Sequence, residues 1–350
     1  MDKNFRTFRL RFKFFFVIII GFILAPELLF AWGQRGHSLE CEAAIHLVKD
    51  KNLKLYLMSK LQGITYLCNL PDTYWRRIDG AESGGPTHFF EPDVVGLSFE
   101  TIPNDYSEFV KLASGKINLA KNKLVQSVPR ELGSSWWRAN QFSQLAIEAG
   151  LRANKNKNPI NEDEDLYQMW VMMGILGHFV TDNAQPFHNT RDFDGWDKGH
   201  GGIHSFYESD LVNEFSYEIL SNIINGSTKV AKDLNLKKNH SFIDGMRQLS
   251  ILSRADLPIL YQLDSVLKES KIISEKGMEI KNEAERLPAR NVLNKFKPIL
   301  ITHLSRGATL LASFWDQIYE AAGRPNLAKD KSFKFPHQFN FIYPKYIDEL

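Results

Sequence analysis

The segment Gly177-His178-Phe179-Val180-Thr181-Asp182-Asn183-Ala184-Gln185-Pro186-Phe187-His188 carries the densest chemistry in the chain. On a helix, His178 and Asp182 are four residues apart and project from one face, close enough to hold a common metal. His188 follows Pro186, where the helix must break. Farther on, Ile203-His204-Ser205-Phe206-Tyr207-Glu208 repeats the spacing with His204 and Glu208. One such pair is as readily a capped helix or a surface ion pair. Two pairs with an imidazole between them offer borderline nitrogen and hard oxygen donors without thiolate, which is the donor set of zinc. The chain has only two cysteines, Cys41 and Cys68. A four-cysteine site is therefore excluded, and any zinc rests on His, Asp and Glu.

The elements that position these residues read as helical. Polar and apolar residues recur at three- and four-residue spacing, and period-two alternation is scarce. The spacing predicts a helix over 164–181, entered from the acidic Asn161-Glu162-Asp163-Glu164-Asp165 segment and closed before Pro186. A second spans 297–322, with Ile299, Leu304, Ala308, Leu311 and Trp315 on one face and Gly323 as its stop. A first helix follows Gly36, through Ala43, Ala44, Leu47 and Val48. Residues 80–86 and the glycine-rich 192–202 read as loops. Together these predict an all-α fold, a single multi-helix domain over 32–325. The tail, 326–350, is rich in Phe, Tyr and Lys and lacks helical periodicity; wrapping the domain, touching a membrane and partial disorder all remain open.

Residues 1–31 are read separately. Lys3, Arg6, Arg9, Arg11 and Lys13 precede an apolar run from Phe14 to Leu24, then Pro26 and Ala31. That order is the order of a secretory signal peptide, and the run is short for a membrane span. Cleavage is expected between Ala31 and Trp32, with export to a periplasmic or extracellular space. An oxidising space permits a Cys41–Cys68 disulfide, while two buried thiols remain the alternative. The leader holds five of the 43 Lys and Arg and two of the 41 Asp and Glu, leaving 38 positive and 39 negative groups. Such a balance gives no broad basic face for gripping nucleic acid, although metal ions can supply positive charge locally.

From Trp32 to about Arg324 the chain resembles the superfamily of bacterial zinc-dependent phospholipases C and single-strand-specific zinc nucleases. Trp32-Gly33-Gln34-Arg35-Gly36-His37 is similar to the family's mature N-terminus, where the Trp α-amino group and carbonyl bind zinc and a nearby His follows. An amine binds zinc only once freed by cleavage and deprotonated. Asp72, in Leu70-Pro71-Asp72, and His88, in Thr87-His88-Phe89-Phe90-Glu91-Pro92-Asp93, match the family's next carboxylate and imidazole. The resemblance implies three zinc ions per chain. Asp72, His88, His178 and Asp182 would hold one, and Trp32, His37 and Asp182 a second, so that Asp182 bridges. His188, His204 and Glu208 would hold the third. It also implies phosphodiester hydrolysis, with Asp182 essential and Asp72 both a ligand and a candidate proton acceptor.

The substrate signals divide. Thr87 to Asp93 and the carboxylate Glu208 resemble the phospholipase branch, whereas Trp-Gly-x-x-Gly-His is closer to the nucleases. Arg35 stands where choline-preferring enzymes have an acid, and would repel choline. Their choline-cage aromatics are Thr73 and Gly85 here. On the nuclease side Phe89 would stack a base and Glu91 bind its edge. Against that branch, Gly202 replaces an expected Asn, and Asp192-Phe193-Asp194-Gly195-Trp196-Asp197 replaces a glycine-rich segment. Phe89 and Trp196 are equally readable as packing. Phe89, Glu91, Arg35 and Arg76 are the candidate substrate contacts, and His200 is a weaker one. His46, His240, His303 and His337 read as surface or packing residues. The preferred reading is a phospholipase C-like enzyme acting on phospholipid, with headgroups other than choline and transient contact with a membrane surface. A nuclease or 3′-nucleotidase is the alternative, and a non-catalytic zinc-binding surface protein the third. The chain is expected to be a monomer.

Overall fold

Where apolar side chains recur every three to four residues, burying them requires helices, and helices carry this structure. The computed structural model describes residues 32–75, 77–78, 84–156, 158–235, 240–275 and 278–330, with 159–162 described by backbone alone. The expected leader, Arg76, His337 and residues 331–350 lie outside these. The framing helices are α1 (Gly33–Leu47), α2 (Leu61–Leu70), α3 (Ser135–Lys155), α4 (Pro159–Ala184), α5 (Ile219–Leu234), α6 (Phe242–Ala255) and α7 (Ala289–Ala321). The all-α architecture read from the sequence is the one observed, with one continuous core.

Helix α4 is the central element. Leu166, Met169, Trp170, Met173, Leu176, Phe179 and Val180 bury its several faces, as an interior helix requires. It packs along α3 and α2 and beneath α7. It begins at 159, so the acidic segment forms its first turn, where anions suit the helix dipole, and does not merely precede it. Helix α7 also starts earlier than the sequence suggests. Pro298 suits a first turn, yet the helix passes through it from Ala289. Burial of Ala289, Val292, Phe296 and Leu300 along one stripe outweighs the hydrogen bond lost at proline.

Two segments add to the sequence reading. Residues 266–286 are not helical. They hold the antiparallel hairpin β1 (Lys271–Glu275) and β2 (Met278–Asn282), above a smaller strand pair at its base. Both faces of the hairpin are exposed, so no inside–outside alternation marks it in the sequence. The tail also begins in contact with the domain. Asp330 is buried, accepting from the Tyr56 hydroxyl at 2.5 Å and pairing with Lys60 at 3.1 Å. Among the described residues, no helix is long and apolar enough to cross a membrane.

Cys41 and Cys68 are joined as a disulfide, tying α1 to α2 across a separation of 27 residues. Closing a loop of that size stabilises by about 3 to 4 kcal/mol on the chain-entropy account. Helix α4 crosses this bridge at Gly177. A Cβ there would stand 2.5 Å from the Cys41 Sγ and 3.1 Å from the Cys68 Sγ. Gly177→Ala is therefore expected to lose about 2 kcal/mol of unfolding free energy by overpacking. Denaturant titration would measure it, and the penalty should shrink in a Cys41→Ala/Cys68→Ala background. An equal penalty in both backgrounds would mean that the disulfide is not the obstacle.

Candidate metal centre

Segments far apart in sequence bring eight donor side chains to one floor. His37 comes from α1, and His178 and Asp182 from α4. His88 closes the short turn Gly85–Thr87, and His188 lies in the turn Pro186–Asn189. His204 lies on the helical turn Ile203–Ser205. Asp72 and Glu208 sit on π-helical turns, Pro71–Trp75 and Phe206–Asp210. All eight are buried. They form three groups able to hold a metal ion: His37, His178 and Asp182; Asp72, His88 and His178; and His188, His204 and Glu208.

The spacing within these groups can be tested against a cation. Ligands about 2.0 to 2.1 Å from a tetrahedral ion lie roughly 3.3 Å from one another. Asp182 Oδ1 is 3.3 Å from His37 Nε2, while its Oδ2 is 3.0 Å from His88 Nδ1 and 3.2 Å from His178 Nε2. His178 Nε2 and His88 Nδ1 are 2.8 Å apart. In the third group His204 Nε2 is 3.1 Å from His188 Nε2 and 2.8 Å from Glu208 Oε2. Asp182 thus turns one oxygen toward each of the first two groups, as a bridging carboxylate would. Among the described residues, His37 Nε2, Asp182 Oδ1 and Glu208 Oε1 are buried without a hydrogen bond.

The outer contacts fix which ring nitrogen faces inward. His178 Nδ1 lies 2.8 Å from the Cys68 carbonyl oxygen, and His188 Nδ1 2.8 Å from that of His88. His204 Nδ1 lies 2.7 Å from the Phe193 carbonyl oxygen. A carbonyl only accepts, so each ring donates from Nδ1 and presents Nε2. His37 follows the same rule. Thr181 Oγ1 gives its proton to the His178 carbonyl at 3.0 Å, and so accepts from His37 Nδ1 at 2.6 Å. His188 Nε2 and His204 Nε2 consequently face one another, an arrangement that needs positive charge between them. The donor set fits metal ions in all three groups.

Electrostatics point the same way. Burial opposes ionisation of Asp72, yet His178, His37 and His88 hold it down to about 2. Burial likewise opposes Asp182, and His178, His188 and His37 keep it well below the carboxylate range. Burial drives His188 down to about 3. It also disfavours charge on His37, but Asp182 and Asp72 outweigh it and push that ring up to about 10. Without metal, the floor keeps these two carboxylates as anions and gathers a proton on His37.

In the chain still joined to its expected leader, the Trp32 peptide N–H donates to Glu208 Oε2 at 3.1 Å. The indole is fully buried and donates to the Thr181 carbonyl at 2.7 Å. This geometry holds Trp32 itself at φ 44°, a left-handed conformation that costs a non-glycine residue on the order of 1 kcal/mol. Gly36 makes it possible, since a Cβ there would stand 3.0 Å from the Trp32 Cβ. The spacing of Trp32, Gly36 and His37 thus has a packing cause.

Of the candidate substrate contacts, Arg35 has another task. Its guanidinium donates to the carbonyls of Val212 and Asn213 at 2.8 Å and of Phe215 at 2.7 Å, closing the helix that ends at Asn213. Phe89 is half-buried beside His88. Glu91 is buried, and burial, helped by Asp93, pushes its carboxyl well above the usual range. Arg76 lies outside the described residues. His200 is tied to Asp264 at 2.8 Å, and Trp196 donates to Asp194 at 2.8 Å under the cation of Lys281.

Other residues escape a reading of the sequence. Glu40 is buried on α1, and burial holds its carboxyl well above the usual range. Gly307 leaves room for it: a Cβ there would stand 2.1 Å from Glu40 Oε1. Behind Glu208, the Tyr207 hydroxyl lies 2.7 Å from His303 Nδ1, whose Nε2 is 3.0 Å from Asp256 Oδ2. Arg306 donates to the same oxygen at 2.6 Å. His303 is thus a packing residue, but one inside a polar chain that steadies the wide turn.

Two outcomes are expected. Thr181→Val removes the acceptor that orients His37, and should weaken metal affinity about 10- to 100-fold in a competitive chelator titration. An unchanged affinity would show that the ring needs no such anchor. Burial also lowers the His303 pKa, against the pull of Asp256. The unfolded chain then binds its proton first as pH falls, so this contribution is complete above about pH 6.5 and is lost below it. Unfolding free energy measured at about pH 7.5 and about pH 5 should drop less in His303→Gln than in the parent chain. No family model matches the chain, and no characterised protein matches it; the site's geometry identifies it as three adjoining groups able to hold metal ions.

Proposed function

We propose that this chain is a zinc-dependent phosphodiesterase of the phospholipase C and single-strand nuclease superfamily, acting on phospholipid. One observation supports the reading above others: two donor groups share His178, Asp182 turns one oxygen to His37 and the other to His88, and a third group adjoins them, all with His and carboxylate donors at ligand spacing. Zinc ions held there would lower the pKa of a water and neutralise charge on phosphate oxygens. A purely structural zinc site would be single and closed, and would not need three adjoining groups.

The chain's residues then divide the work. Asp72 and Asp182 would fix the paired groups, with Asp72 the candidate proton acceptor. His188, His204 and Glu208 would sit at the leaving oxygen. Lipid is favoured over nucleic acid by the state of the neighbouring arginines. Arg35 caps a helix, and Arg191 is paired with Asp197 at 3.2 Å. Arg254 is paired with Asp93 at 3.0 Å, and Arg286 with Asp264 at 3.2 Å. Asp192 and Asp197 line the same cleft as Arg191 and Arg254, an unfavourable track for a polyanion. The half-buried Phe89 beside His88 favours the nuclease as second reading, since a base can stack on it.

The test uses the purified chain beginning at Trp32, with metal content assayed alongside activity. Diacylglycerol release from phospholipid vesicles, lost on chelation and restored by zinc, is the expected result. Mononucleotide release from single-stranded DNA instead would move the chain to the nuclease branch. Turnover of neither substrate by the fully metallated protein would sink both. Asp182→Ala should lose metal from the two groups that its oxygens face and reduce turnover at least about a hundredfold, since outer-shell partners alone account for 10- to 100-fold.

A further inference from the structure

The hairpin β1–β2 stands apart from the core. Its strands pair only with each other among the described residues, Lys271 opposite Asn282 and Ile273 opposite Ile280. Every residue of both strands is exposed, including Ile272, Ile273, Met278 and Ile280. A lone two-stranded hairpin is marginally stable in water, and an open apolar edge is a template for another strand. Yet this hairpin is held firmly at its base. Ser270 N donates to the Gly199 carbonyl at 2.9 Å and Ala284 N to that of Gly201 at 3.0 Å. Arg286 donates to the carbonyls of His200 and Gly201 at 2.9 Å.

The sequence of β1 states which strand fits its edge. Read as Lys271-Ile272-Ile273-Ser274-Glu275, it is complementary to itself in the antiparallel sense. Paired about Ile273, two copies set each Lys271 opposite the partner's Glu275, Ile272 opposite the partner's Ser274, and Ile273 opposite its own equivalent. Opposite charges and matched apolar residues directly across from one another are what stabilise such pairs. Ile280 already faces Ile273 across the hairpin. The joined sheet therefore carries four isoleucines side by side on one face. Strand β2 has a similar palindrome in Glu279-Ile280-Lys281, but Lys281 Nζ is committed over the Trp196 ring at 5.3 Å. Lys271 and Glu275 have no ion-pair partner among the described residues.

We infer that the chain forms a two-fold symmetric dimer by pairing β1 edge to edge, giving a four-stranded sheet across two copies. A two-fold axis through Ile273 closes the assembly at two copies, because the same patch serves both. The inference is independent of what the metal floor hydrolyses.

Sedimentation equilibrium on the exported chain, from about 1 to about 100 µM, provides the test. The parent chain should populate a dimer within that range. Lys271→Glu places like charges opposite one another twice and should raise the dissociation constant at least about tenfold. Lys271→Glu/Glu275→Lys restores both pairs with reversed sign and should restore the dimer. Both positions are exposed and neither belongs to a donor group, so circular dichroism and metal content should be unchanged. A parent chain that stays monomeric throughout, or a charge-swapped double variant that fails to dimerise, would overturn the inference. A monomer that co-floats with phosphatidylcholine vesicles through this hairpin would also overturn it, and would assign the apolar edge to a bilayer.

Discussion

Asp182 sits in the last turn of helix α4, wholly out of water, and carries a negative charge. An isolated carboxylate there would be costly by several kcal/mol at least, and an unfilled orientation would leave one oxygen without company. The surrounding fold is arranged to meet that demand. Helix α4 places His178 one turn earlier on the same face. Helix α1 must bring His37 to the opposite oxygen, and the disulfide between Cys41 and Cys68 holds α1 and α2 at the separation this needs. The loop bearing His88 must descend onto the second oxygen. At Gly177, α4 approaches the disulfide too closely for a side chain to fit without movement.

A second layer turns these contacts into a defined chemistry. Four rings give their Nδ1 protons to oxygens outside the floor and so present the same nitrogen inward. Three of those oxygens are backbone carbonyls, whose positions are fixed by secondary structure and not by side-chain rotamers. The floor is therefore preorganised by the fold itself, and residues such as Thr181 only complete it. The chain from Tyr207 through His303 to Asp256 and Arg306 extends the same logic to α7, linking the turn that bears Glu208 to the longest helix in the molecule.

This layering explains what a sequence can and cannot disclose. His178 with Asp182 and His204 with Glu208 are legible because four-residue spacing is a local property of helices. Helix α4 and the overall class are legible from apolar periodicity. Asp72, His88 and His37 are recognisable only through resemblance, since nothing in their local sequence says that they converge. The outer carbonyls of Cys68, His88 and Phe193 have no residue-type signature at all. The capping contacts of Arg35 are not legible because its partners, the carbonyls of Val212, Asn213 and Phe215, lie far along the chain and leave no trace in composition. The hairpin escapes detection for a different reason: a strand exposed on both faces has no alternation to detect.

Two of the donors, Asp72 and Glu208, ride on turns that hold one residue more than an α-helical turn needs. Such turns are usually read as an insertion into an older, regular helix, kept where it serves a site. Here the extra residue changes the angular phase of everything beyond it. Removing a single residue from 206–210 would let the backbone relax into ordinary helix, and Glu208 would swing by about 100° relative to its neighbours. The shortened chain would gain a more regular backbone and lose the carboxylate that faces His204. Regularity and chemistry therefore pull in opposite directions at both turns, and the length of the chain there is as much a determinant of the site as the identity of its residues.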